Sequence, residues 1–315
     1  MSPGRDPRPH RRPRILVLAE LKPQDMADRL AAGYELVRDI GEAADVEVVL
    51  TAGNVGLTGA QMAMLPALRL VAVNGVGVDA VDLAQARRRG IAVTTTPDVL
   101  SLAVAEMALG LALAAGRRIA EGDRFIRAGG WAGGGKPGLG RSVLERRAGI
   151  LGYGRIGRRL AELLRGMGME VLYTARRERP DVPDGFRPDA RALARDCELL
   201  FVTAAGGEET RGLVDAEVLA ALGPGGILVN VARGPVVETG PLAAALDAGT
   251  IAGAGLDVFD DEPHVPQALL DAPNCVLTPH IGSATAEARR AMAQLVLDNI
   301  AAHFAGRPLP TPYGV

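Results

Sequence analysis

The side chains able to move a proton or hold an anion sit in a few short motifs. Of the four histidines, His10 lies in a Pro- and Arg-rich start, His264 follows an acidic loop and His303 lies in a polar stretch near the end. His280 stands apart, in Leu277-Thr278-Pro279-His280-Ile281-Gly282, just after a short apolar run. Imidazole titrates near neutrality, and a loop at a strand end can present it to a cleft. Arg233 closes Asn230-Val231-Ala232-Arg233-Gly234, and Glu262 lies in Asp260-Asp261-Glu262-Pro263. A lone Arg or Glu is ordinarily a solvated charge, and a lone His is more often structural than catalytic. All three at strand ends of a nucleotide-binding sheet, however, stand where ligands bind in such folds.

The nucleotide site is read from Gly152-Tyr153-Gly154-Arg155-Ile156-Gly157, which follows the apolar run Ala148-Gly149-Ile150-Leu151 and opens an amphipathic stretch. A G-x-G-x-x-G alone is weak; a strand before it and a helix after it is the context that gives it meaning. Gly152 permits the tight turn, Gly154 lets backbone N–H groups approach a pyrophosphate, and Gly157 allows the helix to pack closely on the strand. A dinucleotide is therefore expected here. In the NAD form of the motif an acid about 20 residues on accepts the ribose hydroxyls. Here Glu170-Val171-Leu172-Tyr173 is followed by Thr174-Ala175-Arg176-Arg177, with no carboxylate. Guanidinium groups bind phosphate through charge-assisted bidentate hydrogen bonds. The expectation is NADP, bound as NADPH through Arg176 and Arg177 with Thr174 assisting, and NAD as the lesser cofactor.

The elements that hold these motifs follow from glycine placement and apolar runs. Forty glycines lie between apolar runs, as tight strand-to-helix turns require. Strands are predicted at Ile15 to Leu18, Val46 to Leu50, Leu70 to Val73, Ala92 to Thr94, Arg147 to Leu151, Glu170 to Tyr173, Leu199 to Val202, Ile227 to Asn230, Ala252 to Leu256 and Val276 to Leu277. Helical periodicity lies between them, for example over Ala60 to Met64, Ile156 to Met167 and Pro241 to Ala248. Short, continuously apolar strands alternating with helices imply parallel sheets covered on both faces, a doubly wound α/β architecture. Val99 to Ile119 reads as one long helix, apolar on nearly every face, to be buried in a core or against another subunit.

Composition excludes several classes. At 315 residues, 48% hydrophobic and 23% charged, the chain is globular with about two domains. Its formal net charge of -2 gives no field to attract nucleic acid or anionic lipid. Two cysteines, Cys197 and Cys275, form no disulfide framework or metal motif and suit a reducing compartment, the cytoplasm. No metal site is expected. The apolar run from Val104 to Ala115 is shorter than the ~18 residues of a membrane span. The run Ile15 to Ala19 after Arg11-Arg12 is too short for an export signal, so the start reads as a frayed tail before a first strand.

Taken together, the ordered motifs resemble the D-2-hydroxyacid dehydrogenase family over nearly the whole chain after the tail. The matching pieces are Asn74-Gly75-Val76-Gly77-Val78-Asp79, the Gly152 motif, Glu209-Thr210-Arg211-Gly212-Leu213, Asn230 to Gly234, Gly255-Leu256-Asp257-Val258-Phe259 with Glu262-Pro263, and Thr278-Pro279-His280. Leu172 to Arg177 and Gly129-Gly130-Trp131 are most similar to the NADP-dependent glyoxylate and hydroxypyruvate reductases. The chain departs from the family's pattern at Val237-Glu238-Thr239, and at Ala205-Gly206-Gly207 where Pro-Leu is usual.

The resemblance implies a Rossmann cofactor domain, residues 98–284, inserted in a flavodoxin-like substrate domain, residues 1–97 and 285–315, with the active site in the cleft and a homodimer packed through the helix near Val99 to Ile119. It implies that Arg233 orients the carboxylate of a small 2-oxo acid and polarises its carbonyl, that His280 donates the proton, and that Glu262 stabilises the imidazolium. Asn74 and the N–H groups of Val76 and Gly77 would hold the substrate, and Trp131 would reach a neighbouring subunit's site, against a default role in packing. Cofactor contacts would come from Gly152, Gly154, Arg155, Ile156, Gly157, Thr174, Arg176, Arg177, Thr210, Val231, Ala232, Arg233, Asp257, His280 and Gly282. Formate dehydrogenases, which share the fold, carry Gln where this chain has Glu262. A reductase of larger or aromatic 2-oxo acids and a nucleotide-sensing co-repressor are the other readings.

Overall fold

Runs of apolar residues without alternation must be covered on both faces, and helices supply that cover here. The structure is a computed structural model that describes residues 12–20, 23–180, 182 and 185–314. The start through Arg11, with His10 and the expected frayed tail, lies outside the described residues. The chain divides into two compact units: one runs up to Leu100 and resumes at Ala286, and the other is Ser101–Thr285.

In the first unit, β1 (Arg14–Val17), β2 (Glu35–Val37), β3 (Val48–Thr51), β4 (Leu70–Val73) and β5 (Ala92–Thr94) pair in parallel in the order β2-β1-β3-β4-β5, the flavodoxin-like arrangement. One face of the sheet buries Leu16, Val49 and Val71 with Met62 and Leu65. The other buries Ile15, Val17 and Leu50 against Met26 and Leu30 of the helix Gln24–Gly33 and Val296 and Ile300 of the helix Ala286–Phe304.

The second unit holds β6 (Ala148–Leu151), β7 (Val171–Thr174), β8 (Gly185–Phe186), β9 (Leu199–Val202), β10 (Ile227–Asn230), β11 (Gly253–Leu256) and β12 (Cys275–Leu277). All are parallel, in the order β12-β11-β10-β9-β6-β7-β8. The chain leaves β6 in one direction through β7 and β8, then returns to β9 on the other side. That reversal is the switch point at which doubly wound sheets bind ligands. Register carries the site: Leu151 lies opposite Thr174 and Val202, Val202 opposite Asn230, Asn230 opposite Leu256, and Leu256 opposite Leu277. Six strands therefore end level, and their loops leave from one line. The strands β2 and β8, three and two residues long, were not anticipated because runs so short have no readable period.

The long apolar segment Val99 to Ile119 forms one helix, Ser101–Gly116, and a second that was not expected, Ile119–Arg127, follows it, the two separated where Arg118 takes the left-handed conformation at φ 55° and its guanidinium holds the Glu121 carboxylate at 2.6 Å. The first helix is not buried all round. It packs on β10, β11 and the helix Arg155–Gly166 and leaves a stripe of Leu102, Glu106 and Gly110 exposed. Glycine in β11 makes this approach possible, since a Cβ on Gly255 would lie 2.8 Å from the Leu111 Cβ. No described helix is long and apolar enough to cross a membrane.

Phe201 is fully buried in β9, beside the switch point. Phe201→Ala is expected to destabilise the second unit by about 3–5 kcal/mol, which a fall in the urea midpoint would register; an unchanged midpoint would contradict the packing described.

Candidate active site

Three adjacent strands supply the three candidate groups. Arg233 lies in the loop after β10, Glu262 in the loop after β11 and His280 in the loop after β12. His280 Nδ1 and Glu262 Oε2 are 2.7 Å apart, the carboxylate mostly covered and the ring half-exposed. Glu262 also accepts the Phe259 N–H at 3.1 Å. Burial acts to raise the Glu262 pKa, but the hydrogen bonds from His280 and Phe259, with the charges of His280 and Arg233, outweigh it and hold the carboxyl below its ordinary value. The field of Arg233 is thus felt at Glu262. The two loops are in main-chain contact: a Cβ on Gly234 would collide with the backbone of Phe259.

Each loop is pinned by a buried polar side chain. Asn230, 1% exposed, accepts the Ala232 N–H through Oδ1 and donates through Nδ2 to the Arg233 carbonyl, both at 3.0 Å. Asp257, 2% exposed, accepts the Thr278 hydroxyl at 2.6 Å, the Ile281 N–H at 2.9 Å and the Gly282 N–H at 2.7 Å. Its carbonyl accepts the His280 N–H at 2.9 Å. His280 itself sits at φ 53°, a conformation that costs free energy in any residue with a Cβ and persists only where neighbours impose it.

The glycine turn is built for a dinucleotide's pyrophosphate. Gly152, at φ 98°, touches the Ala204 main chain so closely that a Cβ could not be placed, and a Cβ on Gly157 would strike the Gly152 carbonyl. Gly154 is different. A Cβ there would meet nothing within 4 Å, and Gly154 caps the helix Arg155–Gly166, whose first N–H groups are the natural partners of an anion. Arg155 is exposed and Ile156 half-buried in that first turn. After β7, the Tyr173 hydroxyl accepts the Arg179 N–H at 2.7 Å and staples the loop carrying Arg176 and Arg177, both exposed.

Other expected contacts have partners within the fold. The Thr174 hydroxyl donates to the carbonyls of Arg187 at 3.0 Å and Asp189 at 3.2 Å. That of Thr210 donates to the carbonyls of Ala205 at 2.8 Å and Gly207 at 3.0 Å, closing the loop that departs from the usual Pro-Leu. Val231 and Ala232 are buried. The Asp257 carboxylate and the Gly282 N–H are spent on each other, so these two hold the His280 loop, a task that reading them as cofactor contacts missed. Trp131 is 69% exposed. In the first unit Asn74 follows β4, with Val76 and Gly77 beyond it, and its Oδ1 is buried without a hydrogen-bond partner among the described residues.

A cavity of about 780 Å³ opens where Ile227 begins β10 and Ala252 precedes β11. That is the amino-terminal edge of the second sheet, and none of the candidate residues lines it. Among the described residues no group of three or more His, Cys, Asp or Glu could hold a metal ion.

Residues 109–282 match the family model of the D-isomer specific 2-hydroxyacid dehydrogenase, NAD binding domain. The chain belongs to the D-isomer specific 2-hydroxyacid dehydrogenase family. A 2-ketogluconate reductase of Gluconobacter oxydans is 41% identical over 309 residues, covering 96% of this chain and 98% of that protein. A glyoxylate/hydroxypyruvate reductase A of Arabidopsis thaliana is 44% identical over 248 residues, 79% of each chain. Among solved structures, an NADPH-dependent glyoxylate/hydroxypyruvate reductase from Sinorhizobium meliloti, in complex with NADP and malonate, superposes with a TM-score of 0.91 at 40% identity, covering 96% of this chain and 97% of that one. This dehydrogenase is therefore an oxidoreductase with a Rossmann NAD-binding domain.

The lowered Glu262 pKa fixes a sign. The Glu262 carboxylate stays charged to below the usual carboxylate range, and its negative charge is lost as pH falls through that lowered value. Removing the carboxylate strips the imidazolium of its counter-ion. In Glu262→Gln, keto-acid reduction should therefore fail at lower pH than in the wild type, while hydroxy-acid oxidation gains at lower pH. Profiles of kcat/KM against pH in both directions would show it, and superimposable curves would remove Glu262 from the proton-transfer pair.

Proposed function

We propose that this dehydrogenase reduces small 2-oxo acids, glyoxylate and hydroxypyruvate, to the 2-hydroxy acids, with NADPH preferred over NADH. The observation that carries the reading is the His280–Glu262 hydrogen bond at 2.7 Å, with Arg233 in the loop after the next strand of the sheet, at the carboxyl ends of strands whose sheet carries the Gly152 turn. Reduction places negative charge on the carbonyl oxygen, which then needs a proton. A bound reduced nicotinamide supplies the hydride. Arg233 orients the substrate carboxylate and polarises the carbonyl. With Nδ1 held by Glu262, His280 carries the transferable proton on Nε2. The unpartnered Asn74 Oδ1 suits a polar ligand, and the neighbouring N–H groups of Val76 and Gly77 are assigned to the substrate carboxylate. In this reading residues 1–97 and 285–315 form the substrate domain and 98–284 the cofactor domain. Arg176 and Arg177 take the 2'-phosphate, supported by the NADP complex of the Sinorhizobium relative. Two buried thiols, Cys197 and Cys275, pushed up to about 12 by burial, suit a reducing cytoplasm.

A larger 2-oxo acid is the second reading, favoured by the near full-length match to a 2-ketogluconate reductase. A panel of glyoxylate, hydroxypyruvate, pyruvate, hydroxyphenylpyruvate and 2-ketogluconate with both reduced cofactors separates the two. The highest kcat/KM is expected for glyoxylate or hydroxypyruvate with NADPH; an equal or better value with NADH would end the phosphate reading. Arg233→Ala should raise KM and lower kcat together, by about a hundred-fold or more in kcat/KM.

The homodimer is proposed through the helix Ser101–Gly116 and the segment after it. No residue of the helix Ile119–Arg127 is buried, and Ile119, Ile126, Trp131 and Leu139 are 57%, 58%, 69% and 94% exposed. So many large apolar groups in one segment call for a cover, and a second copy would bring Trp131 to its neighbour's site. Sedimentation should give twice the chain mass, and Ile126→Glu should shift it toward the monomer; a monomeric wild type would refute the dimer.

A further inference from the structure

Arg176 already has a partner. Its guanidinium lies 2.8 Å from the Glu209 carboxylate, and both side chains are strongly exposed, 88% and 77%. Arg176 stands two residues beyond the end of β7, and Glu209 lies in the turn Glu208–Thr210 that follows β9. The strand between β7 and β9 is β6, and all three end level, with Leu151 opposite both Thr174 and Val202. The ion pair thus joins the loops on either side of the strand that delivers the glycine turn.

We infer that Glu209 competes with the cofactor's 2'-phosphate for Arg176 and so sets how strongly this enzyme prefers NADPH. The inference rests on the proposed reading that Arg176 binds that phosphate. An exposed ion pair is weak, whereas a phosphate offers a guanidinium more charge and bidentate acceptors. A phosphorylated ribose therefore displaces Glu209, at the cost of breaking the pair and of placing a dianion near a carboxylate. An unphosphorylated ribose makes no claim on the guanidinium and leaves the pair closed. Glu209 thereby weakens NADPH binding and leaves NADH binding as it was, which narrows the gap between the two cofactors. The loop around it is held independently: the Thr210 hydroxyl closes it onto Ala205 and Gly207, and Tyr173 staples the loop opposite. Replacing the Glu209 charge leaves both loops in place.

The test is calorimetric titration of the full-length protein with adenosine 2',5'-bisphosphate and with ADP, alongside KM for NADPH and NADH. In Glu209→Gln the bisphosphate and NADPH should bind about two- to five-fold more tightly, the scale of an exposed ion pair, with ADP and NADH unchanged. Arg176→Gln should weaken the bisphosphate and abolish the effect of the Glu209 change in the double variant. If Arg176→Gln weakens the bisphosphate but Glu209→Gln leaves it unchanged, or weakens it, the competition is overturned and the phosphate role of Arg176 stands. If Arg176→Gln changes nothing, that role fails and the competition with it. Tighter binding of ADP and bisphosphate alike would reduce Glu209 to a general repulsion and also overturn the proposal.

Discussion

A carboxylate withdrawn from water must be surrounded by donors, and Asp257 receives three of them from a stretch of five residues, with its own carbonyl taking a fourth from His280. The consequence is geometric as well as energetic, because the donors can converge only if the chain doubles back through a left-handed residue. His280 is that residue. Its ring is aimed by the main chain before Glu262 touches it, and the hydrogen bond to Glu262 then sets which ring nitrogen faces outward. Arg233 is held in the same manner by Asn230, from the neighbouring strand end. Buried amide and carboxylate groups without solvent contact thus fix the partly exposed groups assigned to the chemistry, which divides stability from reactivity between different side chains.

The level register of six strand ends turns this local order into a site. A shift of one residue in any pair would turn alternate side chains to the other face of the sheet. Both faces of Leu199 to Val202 and Ile227 to Val229 are buried, so such a slip would have to repack the side chains of both layers at once, and close-packed interiors resist that. The hydrophobic layers therefore set the height at which Arg176, Glu209, Arg233, Glu262 and His280 emerge from the sheet.

The glycine turn, the absence of an acid after β7 and the residues Arg233, Glu262 and His280 were readable because each is encoded within a handful of consecutive positions. The parallel sheets followed from continuous apolar runs for the same reason. What escaped was non-local or too brief. The strands β2 and β8 have no period to detect. The break at Arg118 depends on a left-handed residue that no pattern announces. The work of Asn230 and Asp257 lies in hydrogen bonds to main-chain groups, which composition does not encode, and the Arg176–Glu209 pair joins residues 33 positions apart. Trp131, read with packing as its default role and reach to a neighbouring subunit as what the resemblance implies, is 69% exposed, a degree of exposure that its glycine-rich surroundings do not encode.

The helix Ala286–Phe304 completes the hydrophobic layer of the first unit through Ala293, Val296 and Ile300, and Thr311 and Tyr313 bond to Thr95 and Val93 beside β5. Those pieces follow Ser101–Thr285 in the chain, and that unit carries every strand of its own sheet. During synthesis the inserted unit has its whole sheet before the helix Ala286–Phe304 is made, and until then one face of the first unit's sheet is covered only in part, by the helix Gln24–Gly33. The unit that begins first is therefore completed only after the one inserted into it.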